Sequence, residues 1–401
     1  MQLWQTLLLT LVAFGLGWLI ATLGQDSSAP SEPALGFEAM YDATLDALEH
    51  PEFTERTVLV IDLTRQSNAE NREAMMQALE ANLRSTALRE LRLIVREMAR
   101  EDPSATFERV MQWPTVKATQ AGQVAIFEWA GRNPVAAMNA ADKVTAGTKG
   151  MQGIHRGLVS GWAWSRQPGL SEYLRSLIKG IQKTEFTLIQ AAEIRRREGS
   201  PAVAEWAEDQ IDIGDPDWSA LVFETALSAI GFEDREFAIA FYEAHQDQPY
   251  AAQGPKALAT TAGRRDPEAT LAWLRTLPVD ERQYEGVKNA WRNWDRNYPE
   301  NAKAWIQEAD RGPSLDGALA AYIDKFRQRD PVEAYRLADE IANPEFKQAA
   351  QVRALSLFLR TRKKAAEAWL AQNPVPEQVL AEAQEEAEDF RKRPIEEMLA
   401  P

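Results

Sequence analysis

Eight arginines carry the most patterned chemistry in this chain. Arg100, Arg132, Arg166, Arg264, Arg265, Arg296, Arg329 and Arg360 each stand two or three residues before a recurring position that is usually proline. A guanidinium grips carboxylates and phosphates through a fixed fork of donors. An edge built from these side chains would meet an acidic partner or lipid headgroups, and they form the candidate partner-binding edge. A structural reading stands beside it, because bases in the last turn of a helix favour its macrodipole by roughly 0.3–1 kcal/mol each.

Other clusters carry less. Gly147, Gly150, Gly153, Gly157 and Gly161 surround His155 and Arg156, but a phosphate-cradling loop needs a preceding strand and a GKS/T or GxGxxG ending. Gly153, Gly157 and Gly161, four apart, read instead as a bare helix face for close packing. Asp209, Asp212, Asp215 and Asp217 gather around Gly214-Asp215-Pro216 without EF-hand spacing, which favours a solvated turn over a metal. His50, His155 and His245 are far apart and complete no HExxH, GxSxG or Ser/His/Asp ordering. No reaction, cofactor, metal or small-molecule substrate is expected from these residues.

The elements that would position the arginines are repeats. Equivalent positions fall at Asn71, Pro103, Pro134, Pro168, Pro201, Arg235, Pro267, Pro299, Pro331 and Lys363. Their spacing is about 31 to 34 residues, the period of a helical-repeat array. Three residues on, every unit has a small side chain: Ala74, Thr106, Ala137, Ser171, Ala204, Ala238, Thr270, Ala302, Ala334 and Ala366. Proline suits the first position of a helix, where its missing N–H costs nothing. Asp266 and Asp330 precede it as N-caps. Thr270, Trp273, Leu274 and Leu277 then make one helical stripe. Pro114, Pro278 and Pro374 read as closing three of these helices. Tyr284, Val287, Trp291 and Trp294 make the stripe of a second helix. Thr57–Thr64 is rich in β-branched residues like a strand, but His50-Pro51-Glu52-Phe53 matches Asn343-Pro344-Glu345-Phe346, and the register makes it helix.

Two short helices cannot bury such stripes alone, so neighbouring pairs must stack. The expectation is an all-α chain, residues 37–373 being an α-solenoid of about ten helix-turn-helix repeats. Trp129, Trp164, Trp206, Trp273, Trp294, Trp305 and Trp369 recur at stripe positions and are expected in its core, with Trp273→Ala or Trp305→Ala costing about 3–5 kcal/mol. Residues 374–401 break the register with an excess of acids, as an acidic capping helix would. The rival is an exposed acidic helix that docks elsewhere.

The net charge of −15 argues against nucleic acid as a partner. The absence of cysteine excludes disulfides and Cys-ligated zinc. Leu3–Leu23 is an uncharged apolar run of 21 residues, about 32 Å as a helix and enough to cross a bilayer. A cleaved signal peptide would want a basic start, and the first base is Arg56. Residues 1–24 therefore read as a transmembrane signal-anchor and 25–36 as a flexible Ser/Pro linker. Asp26, Glu32 and Glu38 on the C-terminal flank favour an exported, periplasmic body on a single-pass inner-membrane anchor.

The D-P-x-x-A-x-x-W phrase around Pro267 and the period resemble the junction between tetratricopeptide repeats, over residues from about 40 to 373. The glycine and tyrosine that this family places later in its first helix are missing. The resemblance implies helix-turn-helix modules that bind peptides or partner proteins, often hung from a bacterial membrane by one N-terminal helix. The expected function is a membrane-anchored, non-enzymatic scaffold or adaptor for other envelope proteins. The alternative is a structural subunit built permanently into a larger membrane complex.

Overall fold

The computed structural model describes residues 35–145, 152–211 and 213–392. The anchor expected at Leu3–Leu23, Gly147, Gly150, Asp212 and the chain beyond 392 lie outside them. Among the described residues there are 22 α-helices and no strand, and no helix is long and apolar enough to cross a membrane. The all-helical class read from the sequence is therefore observed among the described residues.

The chain divides into two compact units, one falling within Met1–Trp129 and Asn139–His155, the other within Ala130–Met138 and Arg156–Pro401. The first holds α1 (Phe37–Glu49), α2 (Phe53–Gln66), α3 (Arg72–Ala81), α4 (Leu88–Glu101), α5 (Pro103–Val110) and nearly all of α6 (Thr115–Ala130). There α1 packs on α3 and α2 on α4. The span Thr57–Thr64 lies within α2, capped by the Glu52 carboxylate. Both α7 (Pro134–Thr145) and α8 (Gln152–Ser165) have residues in each unit.

The second unit alternates two series of helices, called short and long, although α14 and α18, at 12 and 11 residues, are no longer than α11 at 12. The short ones are α9 (Leu170–Ser176), α11 (Ser200–Ile211), α13 (Arg235–His245), α15 (Pro267–Leu274), α17 (Pro299–Glu308), α19 (Pro331–Leu337) and α21 (Lys363–Leu370). The long ones are α10 (Ile181–Glu198), α12 (Pro216–Gly231), α14 (Gly254–Arg265), α16 (Glu281–Asn297), α18 (Asp316–Phe326), α20 (Pro344–Thr361) and α22 (Glu377–Lys392). Each long helix packs on the next, from α10 through to α22, and each short one packs against a long neighbour.

Local chemistry explains where the short helices begin. Asp102, Asp234, Asp266 and Asp330 each accept a hydrogen bond from the backbone N–H three residues on, at 3.0–3.1 Å, satisfying one of the helix's orphan donors. Nine of the ten small residues that follow are buried, Ser171 being half-buried. Trp291 donates to the carbonyl of one of them, Ala302, at 3.2 Å.

Two expectations need correction. Pro114, Pro278 and Pro374 do not close α5, α15 and α21, which end at Val110, Leu274 and Leu370. The helix ends are instead turned by tightened backbone bonds such as Thr276 N–H to Trp273 O at 2.8 Å, and Pro114 opens α6 by accepting from Ala118 N–H. The tryptophans are not one core stripe. Trp294 is buried, but Trp129, Trp206, Trp273, Trp305 and Trp369 are half-buried, and Trp164 is 47% exposed. The deep tryptophans are Trp291 and Trp218, each 1% exposed. The former sits on a long helix between two neighbours, whereas Trp273 and Trp305 stand on short helices and keep one flank open. Their alanine variants should accordingly cost less than the roughly 3–5 kcal/mol of a fully buried tryptophan.

Of the C-terminal segment the structure describes α22, as far as Lys392. On α22, Val379, Ala383 and Ala387 are buried against Val352, Leu355, Phe358 and Leu359 of α20, leaving its acidic face to solvent.

Candidate functional site

A groove of about 350 Å³ opens in the second unit where α8 ends and α10 and α11 run alongside. Spacing puts its walls together. Gln190, Ile194 and Arg197 form one stripe of α10, and Ala202, Glu205, Trp206 and Asp209 form one stripe of α11. The floor is Trp162, buried and stacked on Tyr173 at 5.6 Å, with Leu170 beside it. The Trp162 indole N–H is held by the carbonyls of Gln167 and Pro168, at 3.0 and 3.1 Å. Trp206 donates to the Ser171 hydroxyl at 3.3 Å, which in turn accepts from the Gln190 amide at 3.0 Å. The aromatic side chains of the groove are therefore each oriented by a second contact, so the surface is pre-formed.

Two arginines frame the mouth. Arg197 donates to the carbonyls of Ala163, at 2.7 Å, and Trp164, capping the end of α8. It is also paired with Glu193 at 2.8 Å and lies over the Trp164 ring. Arg166 pairs with Glu198 at 3.0 Å. It is also the only non-glycine residue with positive φ among the described residues, at 59°. It follows the last residue of α8, where helices commonly turn left-handed and glycine is the usual occupant. The conformation costs an L-residue about 1–2 kcal/mol. Arg166→Gly should therefore raise stability by about 1 kcal/mol, read as a higher urea midpoint, and an unchanged or lower midpoint would refute the strain.

Three separate sequence features meet here. Arg166 comes from the arginine series, Trp206 from the tryptophan series and Asp209 from the aspartate cluster. Asp209 is on α11 and not in a turn, while Asp215 caps α12 through the Trp218 N–H at 3.1 Å. The sequence missed Trp162, Arg197 and Glu205. Their one available signal was stripe spacing within α8, α10 and α11, which core residues share.

The other arginines of the proposed edge serve the framework in part. Arg100 pairs with Glu97 at 3.5 Å in the last turn of α4. Arg265 reaches back one repeat to the Glu233 carbonyl at 3.2 Å. Burial, and then the neighbouring Arg296, lowers the Arg264 pKa. The Arg329 carbonyl accepts from Arg362 at 3.4 Å. Arg132, Arg296 and Arg329 are exposed and Arg360 is half-buried. The glycine face of α8 is a packing surface: Gly157 and Gly161 are buried, and a Cβ on Gly153 would stand 3.2 Å from Thr119.

Comparison with family models, with curated proteins and with solved structures returns no match. The groove's chemistry is therefore read from its own residues.

The histidines sit with carboxylates: His50 with Glu55 at 3.3 Å, His155 with Asp142 at 3.0 Å and His245 with Glu208 at 3.7 Å. Among the described residues no group of three His, Asp or Glu side chains could hold a metal ion. His245 packs among Phe223, Phe241 and Tyr250, donating to or accepting from the tyrosine hydroxyl at 3.1 Å. Burial lowers its pKa below the usual 6.5, with Glu208 opposing. The unfolded chain thus binds this proton more readily, so the contribution is present above about pH 6.5 and lost as pH falls through the folded value. Stability should drop on acidification from about pH 7.5, and His245→Phe should flatten that limb of the profile. An identical slope in the variant would refute it.

Proposed function

We propose that this chain is a non-enzymatic, membrane-anchored scaffold that binds segments of other envelope proteins. In this reading its helix pairs are tetratricopeptide-like repeats, and Leu3–Leu23 tethers the body to the periplasmic face of an inner membrane. The observation that carries the reading is the groove between α10 and α11. It is open, pre-formed and lined by aromatic, aliphatic and charged side chains on rigid helices, the surface type that takes a short peptide. A tether supports the same role, because confinement to a membrane raises the local concentration of partners held there.

The test uses the full chain in its native membrane. A photo-crosslinking residue at Gln167, exposed at the groove mouth, should give a light-dependent adduct of one defined mass. The same residue at Glu300, exposed on α17, should not give it. Ala202→Trp, which fills the groove, should abolish it. No adduct at position 167, or one indifferent to the filled groove, overturns the reading. A topology reporter fused after Pro401 should report the periplasm.

A further inference from the structure

The groove's charge is unbalanced in one direction. Its two arginines are already neutralised, Arg166 by Glu198 at 3.0 Å and Arg197 by Glu193 at 2.8 Å. The remaining charges lining it are Glu205 and Asp209, both exposed and neither with an ion-pair or hydrogen-bond partner among the described residues. They stand four residues apart on α11, where like charges repel and destabilise the helix. Trp206 lies beside them on the same wall, half-buried, its N–H committed to Ser171. Two free carboxylates and an aromatic ring in one place are what a cationic side chain requires.

From this geometry we infer that the groove recognises a short extended segment of a partner protein with an arginine or lysine at its centre. The cation sits between Glu205 and Asp209 against Trp206, and apolar side chains two residues to either side lie along the floor made by Trp162 and Leu170. The α11 stripe from Ala202 to Asp209 is about 10 Å long, so two side chains about 13 Å apart, as at the ends of five extended residues, reach just past its ends. In an extended segment, side chains two apart point the same way, so leucines at that spacing enter the groove on the same side as the cation and reach the floor beyond it. The chain's net charge of −15 draws such a segment in from a distance.

This inference rests on the scaffold reading and adds the chemistry of the partner. The experiment titrates the purified full chain with two fluorescein-labelled peptides, Gly-Leu-Ala-Arg-Ala-Leu-Gly and the same peptide with glutamine in place of arginine, following anisotropy at low and high salt. The arginine peptide should bind at least tenfold more tightly at low salt, with the difference shrinking as salt screens it. The Glu205→Gln, Asp209→Gln double variant should bring the two peptides within threefold of each other while its thermal melt stays the same or rises slightly, since both side chains are exposed and their repulsion is removed. Equal binding of the two peptides, no binding of either, or a preference that survives in the double variant overturns the inference. If the adduct at position 167 forms in the native membrane all the same, the scaffold stands and only the cationic specificity falls. If that adduct is absent too, both fall.

Discussion

Trp291→Ala is expected to lower the stability of the second unit by about 3–5 kcal/mol, as for a fully buried tryptophan. The side chain lies on α16 with 1% of its surface exposed. Its ring meets Tyr322 of α18 edge-on at 5.7 Å, and its N–H caps the Ala302 carbonyl of α17 at 3.2 Å. Truncation would therefore open a cavity between three helices and remove a buried hydrogen bond, two separate costs. Because each long helix is stable only through its neighbours, the loss should spread along the ladder. Urea denaturation followed by circular dichroism checks it. A shift below about 1.5 kcal/mol, ordinary for any point mutant, would mean that the repeats buffer one another far more than their packing implies. Trp273→Ala, on the short helix α15, should shift the same transition by clearly less.

Gly317→Ala is expected to cost about 3 kcal/mol, the upper end of the usual range for overpacking. A Cβ at that position would stand 2.2 Å from the Tyr284 carbonyl oxygen and 2.9 Å from the Lys288 amide nitrogen. Both are backbone atoms of α16, so no rotamer change relieves the clash and α18 must move bodily away. Gly286 on α16 does the equivalent job toward α14, where its Cβ would fall 2.9 Å from Pro255. The two glycines are one repeat apart, and Gly254 precedes Gly286 by one repeat more. A melting temperature for Gly317→Ala indistinguishable from the parent's would show that α16 and α18 are not held at that distance.

Those glycines mark the limit of what could be read from the residues in order. Pro267 and its equivalents announce helix starts because N-capping involves only a few consecutive residues. Asp266 reaches the N–H of Ala269, and no tertiary contact is needed for it to do so. The buried small residue three positions on was legible for a related reason: ten copies of one local pattern leave little room for coincidence. Thr57–Thr64 shows repeat register overruling composition, since its β-branched residues form part of a helix, as the matched span after Asn343 does.

Burial of the tryptophans was legible only for Trp294 among the seven expected in the core. Trp164 and Trp291 both sit on helical stripes, but one lies at a helix end over Arg197 and the other between stacked helices. The groove was equally hidden, because Arg166, Trp206 and Asp209 belong to three different patterns, each of which has an ordinary structural meaning.

The sequence alone determined the all-helical class, the repeat period, the Asp266 and Asp330 caps and the small residue that lets its neighbours close in. These follow from interactions between residues a few positions apart, which the linear order contains. Tertiary structure decided which tryptophans are core, where one helix needs bare backbone on the next, and that two carboxylates on α11 face an aromatic groove without a counter-charge. Those depend on side chains a whole repeat apart in the chain meeting across stacked helices, as Arg197 meets Trp164 and Trp206 meets Ser171. Spacing along a chain does not encode how far one helix is rotated on the next.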